Sequence, residues 1–176
     1  VTATANSVAA SGTGIITDAA DLPGVASVVG STVAEGTANS FTVNLSNAST
    51  TATSVTLALA DGTGTVGTDT GLVEVSTDGG ANWSTYAGSV SVPANATSFL
   101  VRVATVNDTT YEGDENFTVT ATANSVAASG TGIITDNDAV PTVATVSAAS
   151  ATEASSIVHT VTLSNASTTT TTYALS

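Results

Sequence analysis

Carboxylates are the groups in this chain with chemistry to offer. Fourteen Asp and Glu residues face a single cation, Arg102, for a formal net charge of −13. Between Asp21 and Asp138, nine of them gather in four segments: Glu35; Asp61 and Asp69; Asp108, Glu112, Asp114 and Glu115; Asp136 and Asp138. Hard oxygen donors on flexible loops are what calcium selects, with about six to eight oxygens per ion. Zinc would recruit Cys or His. The chain has no cysteine, and its one histidine, His159, lies far along the sequence from these acids. Carboxylates crowded without cations would raise one another's pKa or push their loops apart. The plainer alternative is that they are solvated loop acids that keep the chain soluble.

The elements that must position these acids are strands. Only 9% of residues are charged and 41% are hydrophobic, the reverse of the balance that disorder needs. Val and Thr abound, and both favour the pleated backbone. Phe41, Val43 and Leu45 alternate with polar residues, as do Val55, Leu57 and Leu59. Phe99, Val101 and Val103 form a third set, and Phe117 and Val119 begin a fourth. Such period-two patterns mark half-buried antiparallel strands. The pattern predicts strands near 25–34, 39–46, 53–60, 71–76, 82–92, 97–105, 115–124 and 129–135, separated by turn-rich segments. The expected fold is all-β, an immunoglobulin-like antiparallel β-sandwich with a thin core of small side chains. Tracing the strands up and down places all nine acids at one pole, where the following segment attaches.

The chain also repeats itself. Residues 1–18 return unchanged as 119–136, and VNLSNAST from Val43 returns as VTLSNAST from Val161, both at an offset of 118 residues. A period of this length suits a whole domain. The expected organisation is the C-terminal end of one repeat in 1–20, a complete repeat in 21–138, and the N-terminal part of the next in 139–176. The sequence thus reads as a stretch of a longer array, or as a subunit whose partial ends are completed by neighbouring chains.

Four motifs resemble those of Calx-β domains, in the same order: Val33-Ala-Glu-Gly36, Asp61-Gly-Thr-Gly-Thr-Val-Gly-Thr-Asp69, Asn107-Asp-Thr-Thr-Tyr-Glu-Gly-Asp-Glu-Asn-Phe117 and Gly130-Thr-Gly-Ile-Ile-Thr-Asp-Asn-Asp138. Together they span nearly the whole repeat. The resemblance implies an immunoglobulin-like sandwich with calcium at one tip. It also implies ligand roles for Glu35, Asp61, Asp108, Glu112, Glu115, Asp136 and Asp138. Asn137 stands where that family often has an acid, which would weaken or remove one ion, and Thr70 replaces a usual Tyr. Tandem, Cys-free modules rich in Thr and Ala also resemble the extender regions of large bacterial surface adhesins of the RTX type, secreted by type I systems.

Other signals point nowhere so definite. Gly62-Thr-Gly-Thr-Val-Gly67 spells a dinucleotide-binding fingerprint, but that motif needs a following helix, and TDTGLVEV reads as strand. His159 aligns with Phe41, an inward strand position. Trp83 and Tyr86 either cap the core or offer a small surface for stacking a sugar. Arg102 lies between Val101 and Val103 and is expected to face solvent. The net charge excludes nucleic acid and anionic membrane surfaces as partners, and no stretch has the length of a membrane-spanning helix.

No nucleophile–base pair or activated-water site can be assembled, so the chain is not expected to be an enzyme. The reading is a calcium-stiffened structural extender repeat of a cell-surface adhesin or extracellular fibre, secreted or on the cell surface. Its partners would be neighbouring repeats of the same chain and other copies in a fibre. The alternatives are an immunoglobulin-like module binding a glycan or protein, or a self-assembling filament subunit.

Overall fold

A computed structural model describes residues 1–14 and 22–176. Fourteen strands run in chain order among these residues: β1 (Thr2–Ala5), β2 (Val8–Ser11), β3 (Val25–Val29), β4 (Thr32–Ala34), β5 (Asn39–Leu45), β6 (Thr53–Asp61), β7 (Thr70–Ser76), β8 (Ser84–Thr85), β9 (Val90–Val92), β10 (Ser98–Thr105), β11 (Glu115–Ala123), β12 (Val126–Thr135), β13 (Val143–Val146) and β14 (Val161–Leu163). One sheet has the order β3-β5-β10-β7-β8 and a second β4-β12-β11-β6-β9. Their inner faces form an immunoglobulin-like β-sandwich whose pairings are antiparallel, apart from β4 lying parallel to β12.

The alternating sets line the core. Phe41, Val43, Val101, Val103, Phe117 and Val119 are all at most 1% exposed. Phe41 and Phe117 meet edge to face across the sandwich, with ring centroids 5.6 Å apart. Where the aromatic rings sit, the opposing backbone has given up its side chain. A Cβ on Gly132 would lie 2.7 Å from Phe41 and 2.9 Å from Phe117.

Two predicted strands are each divided between the sheets. The segment 25–34 crosses over at Gly30, where a Cβ would meet Thr131 O at 2.1 Å, so β3 pairs with β5 while β4 turns to β12. The segment 82–92 breaks at Gly88, whose φ is +97°, so β8 pairs with β7 and β9 with β6. Tyr86 marks the break: its hydroxyl accepts from Leu57 N–H at 2.8 Å and donates to Gly88 O at 2.7 Å. No helix follows Gly67; β7 does.

The repeat seen in the sequence is a repeat of structure. β1 pairs with β2 as Thr2↔Ser11 to Ala5↔Val8, and β11 with β12 as Thr120↔Ser129 to Ala123↔Val126. The turns match as well, with Asn6 and Ser7 at φ 48° and 66° and Asn124 and Ser125 at 47° and 65°, the two positive values that a tight primed hairpin turn requires. β13 and β14 likewise pair Val143 with Leu163, as β3 and β5 pair Val25 with Leu45. The boundary expected at 20/21 lies outside the described residues.

His159 is exposed, its Nδ1 2.8 Å from Ser147 O, and not inward as the alignment with Phe41 suggested. Among the described residues β13 and β14 form a two-stranded sheet, with no second sheet to cover that face.

Buried Asn39 joins the sandwich near its acidic end. Its Nδ2 donates to Ser31 O at 3.0 Å and Ile133 O at 2.9 Å, while its Oδ1 accepts from Ser31 Oγ at 2.9 Å. Removing a buried amide strands its partners without water. Asn39→Ala is therefore expected to destabilise the chain by about 3 kcal/mol, measurable as a lower midpoint in urea at unchanged slope.

Candidate functional site

Four loops meet at one end of the sandwich. The turn after β4 carries Glu35, the β6–β7 loop carries Asp69, the loop before β11 carries Glu112 and leads to Glu115, and the exit from β12 carries Asp136 and Asp138. Register brings them together. β4 lies beside β12, with Ala34 opposite Thr135, so the residues that follow, Glu35 and Asp136, emerge side by side. β11 lies between β12 and β6, with Glu115 opposite Ile134 and Phe117 opposite Asp61.

Two groups of three carboxylates result. Glu35, Asp136 and Asp138 each place an oxygen within 4.8 Å of the others, and so do Asp69, Glu112 and Glu115. Two oxygens bound at about 2.4 Å on opposite sides of a calcium ion are about 4.8 Å apart, so each group has the dimensions of a partial calcium shell. Buried Glu35 Oε2 and Asp138 Oδ2 have no hydrogen-bond partner among the described residues. Buried polar oxygens rarely go unpaired, and a cation between them would satisfy both.

Asp136 organises the end. Its Oδ2 accepts from the Glu112 N–H at 2.7 Å and the Gly113 N–H at 2.6 Å, and its Oδ1 from the Asp138 N–H at 2.7 Å. Desolvation pushes its carboxyl upward, but these three amide bonds outweigh it and hold the pKa below the ordinary range. Neighbouring glutamates go the other way. Desolvation, then the charges of Asp136, Asp108, Asp138 and Glu112, raise Glu35 to about 7. Desolvation, then Asp69 and Glu112, raise Glu115 to about 7. Glu112 is raised by desolvation, then by Asp69 and Asp108.

Of the seven residues proposed as ligands, Glu35, Asp136 and Asp138 form the first group, and Glu112 and Glu115 belong to the second. Asp61 and Asp108 are in neither and are exposed: Asp61 Oδ1 accepts from Val66 N–H at 2.8 Å, and Asp108 Oδ1 from Thr110 N–H at 2.6 Å. Both shape their own loops. Asp69 completes the second group and was absent from that ligand set, although the motif ending at Asp69 had signalled it.

The single arginine serves elsewhere. Arg102 is half-buried, bonds Glu74 at 2.7 Å and stacks 4.3 Å over the Trp83 ring. One face of the proposed sugar-stacking surface is thereby covered. Asp78 is held by its own turn, with bonds from Ser76 Oγ and from the backbone and side chain of Asn82.

No family model matches this chain, and no curated protein matches it. Solved structures do. The chain is similar to the apo-form Calx CBD1 domain at 19% identity, covering 67% of this chain and all of that one, with a TM-score of 0.48. It is similar to CBD12 from CALX1.2 at 23% identity, covering 64% of this chain and 46% of that one, with a TM-score of 0.48. With the calcium binding domain CBD12 of CALX1.1 it shares 21% identity over 67% of this chain and 50% of that one, at a TM-score of 0.48.

Between pH 4.5, the ordinary value for Glu, and about 7, the folded metal-free chain holds protons on Glu35 and Glu115 that the unfolded chain has released. The state that binds more protons is favoured at lower pH. Asp136 is ionised in both states across this window and does not oppose the trend. In chelator, melting temperature is therefore expected to fall as pH rises from about 5 to about 7.5, followed by circular dichroism.

Proposed function

We propose that this chain is a calcium-binding β-sandwich repeat that acts as a structural extender in an extracellular fibre or cell-surface adhesin. One observation carries the reading: two carboxylate groups of calcium-shell dimensions lie at the end from which the next repeat departs, one of them with two buried oxygens lacking partners. Calcium fits better than zinc because the donors are all oxygen. In this reading Glu35, Asp136 and Asp138 hold one ion and Asp69, Glu112 and Glu115 another, with water and backbone carbonyls filling each shell. The ion supplies positive charge. The chain supplies the frame that keeps six carboxylates together, with Asp136 clipping the exit of β12 to the acidic loop.

The extender role rests on the repeat. A spacer needs many equivalent copies, and here parts of a preceding and a following unit recur at an offset of 118 residues with the same strand registers. Calcium that ties the exit acids to the loops would also restrict the short segment between Asp138 and Pro141. Pro already limits that backbone.

A ligand of the folded form alone adds about 2.7 kcal/mol at a hundredfold excess over its Kd. Calcium is expected to raise the melting temperature over that in chelator by on the order of 10 °C. Superimposable melts would refute calcium binding. By calorimetry, Glu112→Gln and Glu115→Gln are expected to weaken calcium binding about tenfold or more, whereas Glu74→Gln, at the Arg102 pair, leaves it unchanged. In X-ray scattering, a chain of three complete repeats is expected to be a stiff rod in calcium and a broader, more bent ensemble in chelator. Equal maximum dimension and flexibility in both would refute the stiffening role alone.

A further inference from the structure

The acidic loop has a second face, turned to the next repeat. Tyr111 N–H donates to Ala166 O at 3.0 Å, and Tyr111 O accepts from Thr168 N–H at 3.1 Å. The two segments thus form a parallel β-bridge between Tyr111 and Ser167. The bridge joins the loop of one repeat to the Ser164–Thr169 turn of the following one.

The same turn occurs in the complete repeat, at 46–51, and the two share most of their hydrogen bonds. Ser46 Oγ donates to Asn47 Oδ1 at 2.6 Å, and Ser164 Oγ to Asn165 Oδ1 at 2.6 Å. The Thr51 N–H donates to Ser49 Oγ at 3.2 Å, and the Thr169 N–H to Ser167 Oγ at 3.0 Å. Each turn is also fastened to its own first strand segment in the same way, by Gly24 N–H to Ser46 Oγ and Thr142 N–H to Ser164 Oγ, both at 3.0 Å. On its inner side the first turn is held by Asn95 N–H to Ser49 O at 2.7 Å. On its outer side Ala48 and Thr50 are exposed. Ala48 O accepts from Asn47 Nδ2 at 3.2 Å, as Ala166 O accepts from Asn165 Nδ2 at 3.3 Å while also taking the Tyr111 N–H. Among the described residues no backbone group bonds to Ala48 O or Thr50 N–H, the counterparts of the two groups that hold Tyr111.

We propose that the 46–51 turn is a docking site for the acidic loop of a preceding copy of this repeat, held through Ala48 O and Thr50 N–H. The sequence supplies the reach: five positions separate Asp18 from Pro23, as five separate Asp136 from Pro141, so a preceding copy approaches on an equal tether. The lock is made of backbone groups, so it stands apart from the identity of any bound ion.

The test is amide hydrogen exchange, in calcium, on the 176-residue chain and on a chain lengthened by a second copy of residues 21–138 inserted after residue 20. Thr168 is expected to exchange slowly in both, as the internal standard. The Thr50 that follows the inserted copy is expected to exchange about tenfold or more slowly than Thr50 of the shorter chain, while the Thr50 within the inserted copy stays fast. Tyr111→Pro in the inserted copy removes the donor and is expected to restore fast exchange at Thr50. Slow exchange at Val101 and Val119 in every chain verifies that each sandwich is folded. Equal Thr50 rates in the two chains would overturn the proposal, as would protection that survives the proline substitution.

Discussion

One arginine among fourteen carboxylates is the condition to which the rest of this molecule answers. That arginine lies on β10, between Glu74 and the Trp83 ring, so the acids at the far end must be accommodated without it. Backbone amides take part of the load. Asp61, Asp69 and Asp108 each accept a bond from an amide of their own loop, and Asp136 accepts three. A short aspartate returns easily to nearby backbone, which is why it shapes turns. The longer glutamates 35, 112 and 115 extend from those turns into the shared space, and there desolvation and mutual charge raise their pKa. Most of the aspartates build the loops, while the glutamates and Asp138, whose buried Oδ2 has no partner among the described residues, carry the unmet charge.

The sandwich delivers those loops to one place by dividing strands between sheets. At Gly30 the chain leaves the β5 side for β12, because Thr131 and Phe41 leave no space for a side chain there. That crossing sets β4 parallel to β12 and brings Glu35 out beside Asp136. Asn39 stabilises the same crossing from within by bonding Ser31 and Ile133. A few contacts deep in the apolar core thus determine the spacing of carboxylates at its surface.

Much of this was legible in the sequence, because strand alternation is local. The inward sets headed by Phe41, Val55, Phe99 and Phe117 line the core, and strand pairs at the repeat offset recur in register. Sheet membership was not legible, since 25–34 and 82–92 each read as one strand and divide only where a glycine meets the opposite sheet or takes positive φ. The acidic pole was legible from loop order, but the choice of acids within it was not. Asp61 and Asp69 close the same loop, and only the fold shows Asp61 turned to Val66 and Asp69 joined to Glu112 and Glu115. His159 misled because inward facing is a property of a covered sheet, and alignment with Phe41 does not supply the cover.

The acidic loop joins two tasks in adjacent residues. Glu112 donates its amide to Asp136 on the carboxylate side, while Tyr111 donates its amide to Ala166 on the side of the next repeat. Two backbone hydrogen bonds are worth only about 1 kcal/mol each net of water. A short tether raises the local concentration of the partner turn to the millimolar range, enough to populate such a joint but not to make it rigid. What remains is the cost of ordering the loop before it can pair, and that cost falls when the loop is already held. Asp136 holds it from one side, and an ion on Glu112 and Glu115 would hold it from the other. Under the proposed reading, charge neutralisation in one repeat would become alignment of the next, because the peptide plane between Tyr111 and Glu112 belongs to both.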